Sequence, residues 1–281
     1  MAGAKETPRQ RMIGMMYIVL TAMLALNVSK SILDAFVAIE ENIQKANLTE
    51  LYRGDERKLE LREAAVDDTN PVKSKKAKLL VETVNQIDDM TQERIQFIDN
   101  LKLEILEACS EDITTVSEAD AIIMEKYNKS ENALKPIRMN LQHVDVKDKY
   151  DEVMYILIGE DVKRPTGKGM DLWKSYNKYR KQLTEIIAST QIGGGDNPKF
   201  SKEYYFEAPE INKYETQAEL RKKIQAAMDK SKVHDDDQSM IMEIYSSLTK
   251  EEYSNVNDIS DVHWIGKTFD HAPSVAAIAS L

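Results

Sequence analysis

Two polar clusters have residue types that could do chemistry, and neither has the spacing that its chemistry needs. The tripeptide Gly167-Lys168-Gly169 has the composition of a phosphate-binding loop but lacks the G-x-x-x-x-G-K-[ST] spacing. His234 precedes three aspartates at 235–237, yet no second histidine stands at metal-ligand spacing. We therefore interpret the first cluster as a connecting loop and the second as a solvated acidic turn or helix cap.

The other reactive side chains give no clearer site. His263 and His271 lie eight residues apart in an apolar stretch, which is typical of structural histidines. Cys109 is the only cysteine, so no internal disulfide can form, and we interpret it as inert. No nucleophile–base pair with meaningful spacing is found. The sequence predicts a protein that is not an enzyme and that needs no metal or cofactor.

Composition narrows the fold and the partners. The formal net charge of -10 disfavours nucleic acid, because a phosphate backbone is bound by a basic surface. With 42% hydrophobic and 31% charged residues the chain can form a core. Only 10 glycines and 7 prolines, together with long stretches rich in Glu, Lys, Ala and Leu, predict an all-α fold.

An uncharged run near the N-terminus has the properties of a membrane span. No charge occurs from Met12 to Ser29, which as a helix is about 27 Å long, close to the thickness of the hydrocarbon layer. Arg9 and Arg11 precede the run, and positive charge marks the cytoplasmic end of a span. Two alternatives stay open: a cleaved signal peptide, although a small-x-small cleavage site is not evident, and a buried helix of a soluble protein.

These features predict a protein that crosses a membrane once. A short cytoplasmic N-terminus, 1–11, precedes a transmembrane helix, 12–36, and a helical-bundle domain on the far side, 37–281. The first helix is expected to continue to about Tyr52. Further helices are predicted at about 74–109, 117–128, 131–158, 169–190, 214–231, 238–248 and 259–281, with a linker at 191–213. The apolar C-terminal run suggests the front part of a longer protein.

One face of the predicted span is suited to contact another helix. Small and hydroxylated residues recur at spacings of three or four, which lets a second helix approach closely. The residues of this stripe are Gly14, Tyr17, Thr21, Ala25 and Ser29. The alternative is that Thr21 and Ser29 only bond the carbonyls of their own helix. No carboxylate lies between Arg9 and Asp34, so any proton-carrying acid must belong to a partner.

Two segments carry a family resemblance. The run TPRQRMIGMMYIVLTAMLALNVSKSILDAF, residues 7–36, closely resembles the start of the GldM/PorM family, the inner-membrane motor subunit of type IX secretion and gliding motility. The segment HWIGKTFDHAPSVAAIASL, residues 263–281, is similar to that family's first periplasmic domain. The resemblance covers the membrane helix and the first domain, while the family's later β domains are missing from this chain. It implies that the membrane is the bacterial inner membrane and that the helical-bundle domain, 37–281, is periplasmic.

The resemblance implies a homodimer whose two membrane helices sit inside a ring of a polytopic GldL/PorL-like partner, in a five-to-two assembly. Proton-motive force would drive this motor. The periplasmic part would transmit mechanical energy, through the family's missing C-terminal domains, to secretion components at the outer membrane. Arg9 matches the family's arginine before the span, and we predict that it pairs with a membrane glutamate of the ring. The alternative is that Arg9 is a positive-inside anchor that faces lipid headgroups. The alternative function is a membrane-anchored periplasmic scaffold or sensor without a motor role.

Overall fold

The all-α fold is confirmed in the part of the chain that the structure describes. The computed structural model describes residues 8–111, 113, 122–125, 136–190, 207–209, 217–231, 233, 235–248 and 263–281, with the side chains of the first helix from Lys30 onward. Of these residues 77% are helical, in eight helices. Within these residues the structure has two long helices, two hydrophobic cores and one very short sheet.

A long helical hairpin forms the frame. Helix α1, Pro8–Val66, is followed after a short turn by the antiparallel helix α2, Pro71–Ala108. Asn70 caps α2 by accepting a hydrogen bond from the backbone N–H of Lys73, and a proline in the first helical turn has no N–H to leave unsatisfied. The predicted boundary of α2 is confirmed to within a few residues.

The prediction that the first helix ends near Tyr52 is wrong. Gly54 lies inside α1, and the helix continues for twelve further residues to Val66. Packing against α2 overrides the low helix propensity of one glycine, since Lys58 forms an ion pair with Asp88 of α2 at 2.7 Å. Near the end of α1 the hydroxyl of Ser74 donates to the Ala65 carbonyl at 2.7 Å and closes the turn.

Two further helices pack on this hairpin. Helix α3, Asp151–Leu157, leads through a loop into α4, Lys168–Ser189, close to the predicted helix. Helix α4 runs antiparallel to α2 and contacts it through side-chain hydrogen bonds. The pairs are Arg94–Ser175 at 2.8 Å, Thr91–Tyr179 at 2.9 Å and Thr83–Thr190 at 3.1 Å.

The first core surrounds α1 where it meets the bundle. Side chains from α1, α2, α3 and α4 meet there with the last two helices of the chain. These are short: α7 is Trp264–Phe269 and α8 is Ser274–Ser280. The prediction of one helix over 259–281 is wrong where the structure describes it. His271 has a φ of +53° and Pro273 follows it, so the helix is interrupted between α7 and α8.

The second core lies at the far end of α4. It is formed by α4 together with α5, Gln217–Ser231, and α6, Asp235–Ser247, which lie between α4 and α7 in the chain. Arg180 of α4 places its guanidinium 4.5 Å from the ring centre of Tyr245, whose hydroxyl donates to the Pro209 carbonyl at 2.9 Å. Burial lowers the pKa of Arg180 and raises that of Tyr245. Helix α4 therefore belongs to both cores.

Strand and turn structure replaces part of two predicted helices. Strand β1, Ile123–Glu125, pairs antiparallel with β2, Arg138–Met139, and a 3-10 turn follows at Leu141–His143. The helices predicted over 117–128 and 131–158 are wrong at these positions, and only α3 is helical within 136–158. The side chains of Gln44, Asp99 and Glu111 accept hydrogen bonds from the backbone of 137–146, in place of the hydrogen bonds of a helix.

The glycines of the hairpin and of α4 have opposite roles. A Cβ at Gly169 would lie 2.5 Å from the carbonyl oxygen of Leu157 and 2.6 Å from a methyl of Ile265, whereas a Cβ at Gly54 meets nothing within 4 Å. We expect Gly169→Ala to lower the free energy of unfolding by about 1–3 kcal/mol through overpacking. Gly54→Ala, the control, should raise it by about 0.5–1 kcal/mol. Urea unfolding of both variants measures the difference, and equal effects would contradict this account of Gly169.

Candidate functional site

The residues predicted to contact a partner all lie in the continuous backbone helix α1. Their side chains fall outside the described residues, so the partner contacts predicted for them stay predictions. These residues are Arg9, Gly14, Tyr17, Thr21, Ala25 and Ser29. Among the residues whose side chains are described, no helix combines the length and the apolar character needed to span a membrane.

An exposed apolar stripe continues the same spacing along α1. Ile32, Ile39 and Ile43 are 52%, 49% and 40% exposed although isoleucine is usually buried. Ile32 follows Ser29 by three residues, and the next two isoleucines follow at seven and four. Because α1 is one helix, residues at these spacings share a face with the predicted stripe 14–29. We call Ile32, Ile39 and Ile43 the isoleucine stripe.

The neighbouring face of α1 enters the first core, and Phe36, four residues after Ile32, lies where that face meets the isoleucine stripe. Val37 is buried there, and Leu33 and Phe36 are partly buried against the same cluster. Across from them lie Leu101 and Ile105 of α2, both buried. Side chains at i, i+3 and i+4 form one helix face, so this part of α1 is fastened to the bundle by apolar packing.

A polar contact adjoins this apolar face. Glu40 is buried and accepts from the ammonium of Lys102 of α2 at 3.2 Å. One turn further along α1, the amide of Gln44 donates to the carbonyl of Met139 at 2.9 Å and accepts from its N–H at 3.1 Å. Gln44 also donates to Glu40 at 3.4 Å. We call these four residues the α1 junction: they connect α1 with both α2 and β2.

Two clefts flank the α1 junction. One, of about 310 Å³, lies between α1 and the segment 138–142, and the other, of about 90 Å³, extends toward Leu281. Glu40 and Gln44 line both clefts. Direct packing between α1 and β2 is therefore narrow, and the side chain of Gln44 bridges it.

Two more buried acids bind the backbone of the same irregular segment. Asp99 of α2 accepts from the N–H of Ile137 at 2.9 Å. Glu111 accepts from the N–H groups of Asp145 and Val146 at 3.1 Å and 2.8 Å. A carboxylate that accepts backbone hydrogen bonds satisfies donors that no ladder reaches. Sequence reasoning missed these residues and Gln44, because acids and amides inside amphipathic helices read as ordinary surface positions.

The histidines His263 and His271 and the glycine Gly167 have contacts that explain them by packing, capping or surface pairing. His263 caps α7 by accepting a hydrogen bond from the N–H of Ile265 at 3.1 Å. Its ring meets that of Trp173 edge-on, with the ring centres 5.2 Å apart. His271 is exposed and contacts Asp270 at 2.6 Å. Gly167 precedes α4, where its Cβ position would lie 2.6 Å from the Ile156 carbonyl, so close packing explains the glycine.

The remaining candidates point the same way. Cys109 is buried at the end of α2, and burial, with a smaller contribution from Glu152, raises the pKa of its thiol, which disfavours the reactive thiolate. Helix α6 begins at Asp235, while His234 lies outside the described residues. Across the positions that the structure describes, no three His, Cys, Asp or Glu side chains are grouped closely enough to bind a metal ion.

Comparison with protein-family models, with curated proteins and with solved structures finds no match for this chain. The resemblance seen in residues 7–36 and 263–281 therefore stays a prediction.

Proposed function

We propose that this chain is the force-transmitting subunit of a proton-driven motor in the bacterial inner membrane, of the kind that powers type IX secretion and gliding. In this proposal residues 1–11 are cytoplasmic, the N-terminal part of α1 spans the membrane as its single pass, and the helical bundle is periplasmic. The chain has no catalytic reaction of its own and serves as a mechanical link.

The continuity of α1 is the observation that carries the proposal. A helix from Pro8 to Val66 is about 88 Å long, and about 55 Å of it would follow a span that ends at Ser29. A kink in a helix needs a proline, a bulge or an inserted group, and no proline follows Pro8 within α1. A rotation or tilt applied to the membrane end therefore reaches the first core without crossing a loop.

The distribution of charge in the span assigns the proton chemistry to a partner. Each proton that crosses 100 mV releases about 2.3 kcal/mol, and a titratable group within the membrane must couple that energy to motion. Residues 10–33 of this chain contain no carboxylate. A polytopic GldL/PorL-like ring would supply the acid, and two copies of α1 at its centre would receive the motion.

The two stripes on α1 support a contact with a second copy of the chain. Both copies insert in the same orientation, so their helices are parallel and the stripe 14–29 of one faces that of the other. Small residues permit close approach within lipid. Outside the membrane, burial of the isoleucine stripe is favourable at about 25 cal/mol per Å². Along α1, the stripe therefore has small residues where lipid would surround it and large apolar residues where water would surround it.

Cysteine crosslinking in native membranes tests this contact. In a Cys109→Ala background, we expect crosslinked dimers from cysteine at Thr21, Ala25 and Ile39. The controls are Met23 and Ala38, which lie on the helix two residues and one residue away from stripe positions and face elsewhere. Equal crosslinking on and off the stripe would contradict a defined interface.

A scaffold or sensor without a motor role is the second candidate. A sensor needs an output domain on the cytoplasmic side, whereas a motor subunit needs a polytopic partner that supplies the proton-carrying acid. Purification from membranes separates the two. A motor subunit co-purifies with a polytopic protein in excess copies, and secretion stops when the proton-motive force is dissipated.

A further inference from the structure

The α1 junction holds α1 to β2 and to α2 through directional polar bonds. Gln44 uses both the donor and the acceptor of its amide on the backbone of one residue, Met139. Helix surfaces lie about 5 Å from the axis, so a rotation of about 30° moves a surface group by about 3 Å. Such a displacement exceeds what a hydrogen bond tolerates. The two bonds therefore permit one rotational setting.

Glu40 and Lys102 support this setting from the side of α2. Glu40 accepts from Lys102 at 3.2 Å and from Gln44 at 3.4 Å, so one buried carboxylate orients both side chains. In a buried network each member limits the movement of the others. Apolar burial, by comparison, is non-directional and resists separation of helices more than it resists sliding.

The clefts beside Gln44 make this contact narrow. About 310 Å³ on one side and about 90 Å³ on the other separate α1 from the segment that β2 belongs to. Close-packed side chains would otherwise prevent α1 from turning relative to β2. With space on both sides, the polar bonds of Gln44 hold α1 directly to β2, in addition to the packing of α1 against α2.

We propose that Glu40, Gln44 and Lys102 are the positioning residues through which torque on the membrane part of α1 reaches the helical bundle, an inference that rests on the proposed motor function. When the junction is intact, α1 and the bundle turn as one body. When it is broken, α1 turns or rocks within the first core and the bundle receives less of the motion.

The test measures helix orientation and secretion on the same variants of the full chain. Gln44→Leu removes both bonds to Met139 at similar volume, and Lys102→Met removes the charge that faces Glu40. The matched control is Arg53→Met, which breaks an exposed pair with Glu50 on the same helix, away from both clefts. Spin labels at Ser31→Cys on α1 and Tyr155→Cys on α3, in a Cys109→Ala background, report the distance between helix and bundle in lipid nanodiscs. Dilution with unlabelled chain removes distances between copies.

We expect both junction variants to broaden the distance distribution and to lose most secretion in the native host, while co-purification with the membrane partner is unchanged. The control should match the parent chain in all three measurements. An unchanged distribution in Gln44→Leu and Lys102→Met would overturn the junction as the element that fixes α1. A broadened distribution with normal secretion would overturn its role in torque.

Failure of the motor proposal gives a different pattern. Secretion by the parent chain would then be independent of the proton-motive force, and no polytopic partner would co-purify. That result overturns torque transfer together with the motor, whereas the distance measurement still decides whether the junction fixes α1.

Discussion

Secretion is expected to stop when Arg9 is replaced with alanine. Arg9 precedes the uncharged run Met12–Ser29 at the cytoplasmic edge of the predicted span. An arginine near hydrocarbon is costly unless it snorkels or is paired, and the proposed ring partner needs a membrane acid. If the two groups pair, removal of one leaves the other uncompensated, at a cost of about 3–5 kcal/mol for a buried pair. Three kcal/mol is roughly a hundredfold in an equilibrium constant.

Arg11→Ala is the matched control for Arg9→Ala. It removes the same charge two residues away and leaves Arg9 to mark the cytoplasmic end. Arg9→Lys keeps the charge but not the planar guanidinium, so a bidentate pair should lose part of its function. Secretion of a type IX cargo and co-purification of the membrane partner are the measurements. Normal secretion by Arg9→Ala, or equal losses in Arg9→Ala and Arg11→Ala, would contradict the pairing.

Regular amphipathic helices could be predicted because their signal is local. Helices α2 and α4 show apolar residues at three- and four-residue spacing, and both were located to within a few residues. The all-α class follows from the same signal. The end of α1 could not be predicted in this way, because Gly54 is a weak helix former that nevertheless lies inside a helix packed against α2.

The irregular segment 136–150 could not be predicted because its hydrogen bonds come from distant residues. Asp99 bonds Ile137 and Gln44 bonds Met139 across separations of 38 and 95 residues. A single sequence shows no spacing that relates such positions. Local propensity favoured helix there, and tertiary contacts replaced it with β2 and a 3-10 turn.

The candidate site divides along the same line. The stripe 14–29 is a local pattern and was predicted from spacing alone, while its extension by the isoleucine stripe needed the exposure of Ile32, Ile39 and Ile43. The α1 junction depends on a contact between a helix and a strand that was predicted as helix. Its residues could be found only after the fold was known.

Phe269→Ala is expected to have the largest effect on stability. Phe269 is fully buried in the first core and meets the ring of Trp264 at 6.1 Å in an edge-on arrangement. Truncation of a buried phenylalanine costs about 3–5 kcal/mol, which includes the cavity that remains. Tyr155→Ala is the control, because this aromatic side chain is 74% exposed and its loss should change the free energy of unfolding by less than about 0.5 kcal/mol.

Tryptophan fluorescence during urea unfolding measures this effect at the first core, since both tryptophans of the chain, Trp173 and Trp264, pack against it. If the first core fastens α1 to the bundle, Phe269→Ala should also broaden the distance between spin labels on α1 and α3, although the α1 junction is untouched. A large loss of stability with an unchanged distance would mean that polar contacts alone fix α1. If Phe269→Ala lost as little free energy of unfolding as Tyr155→Ala, α7 would not close the core against which α1 packs.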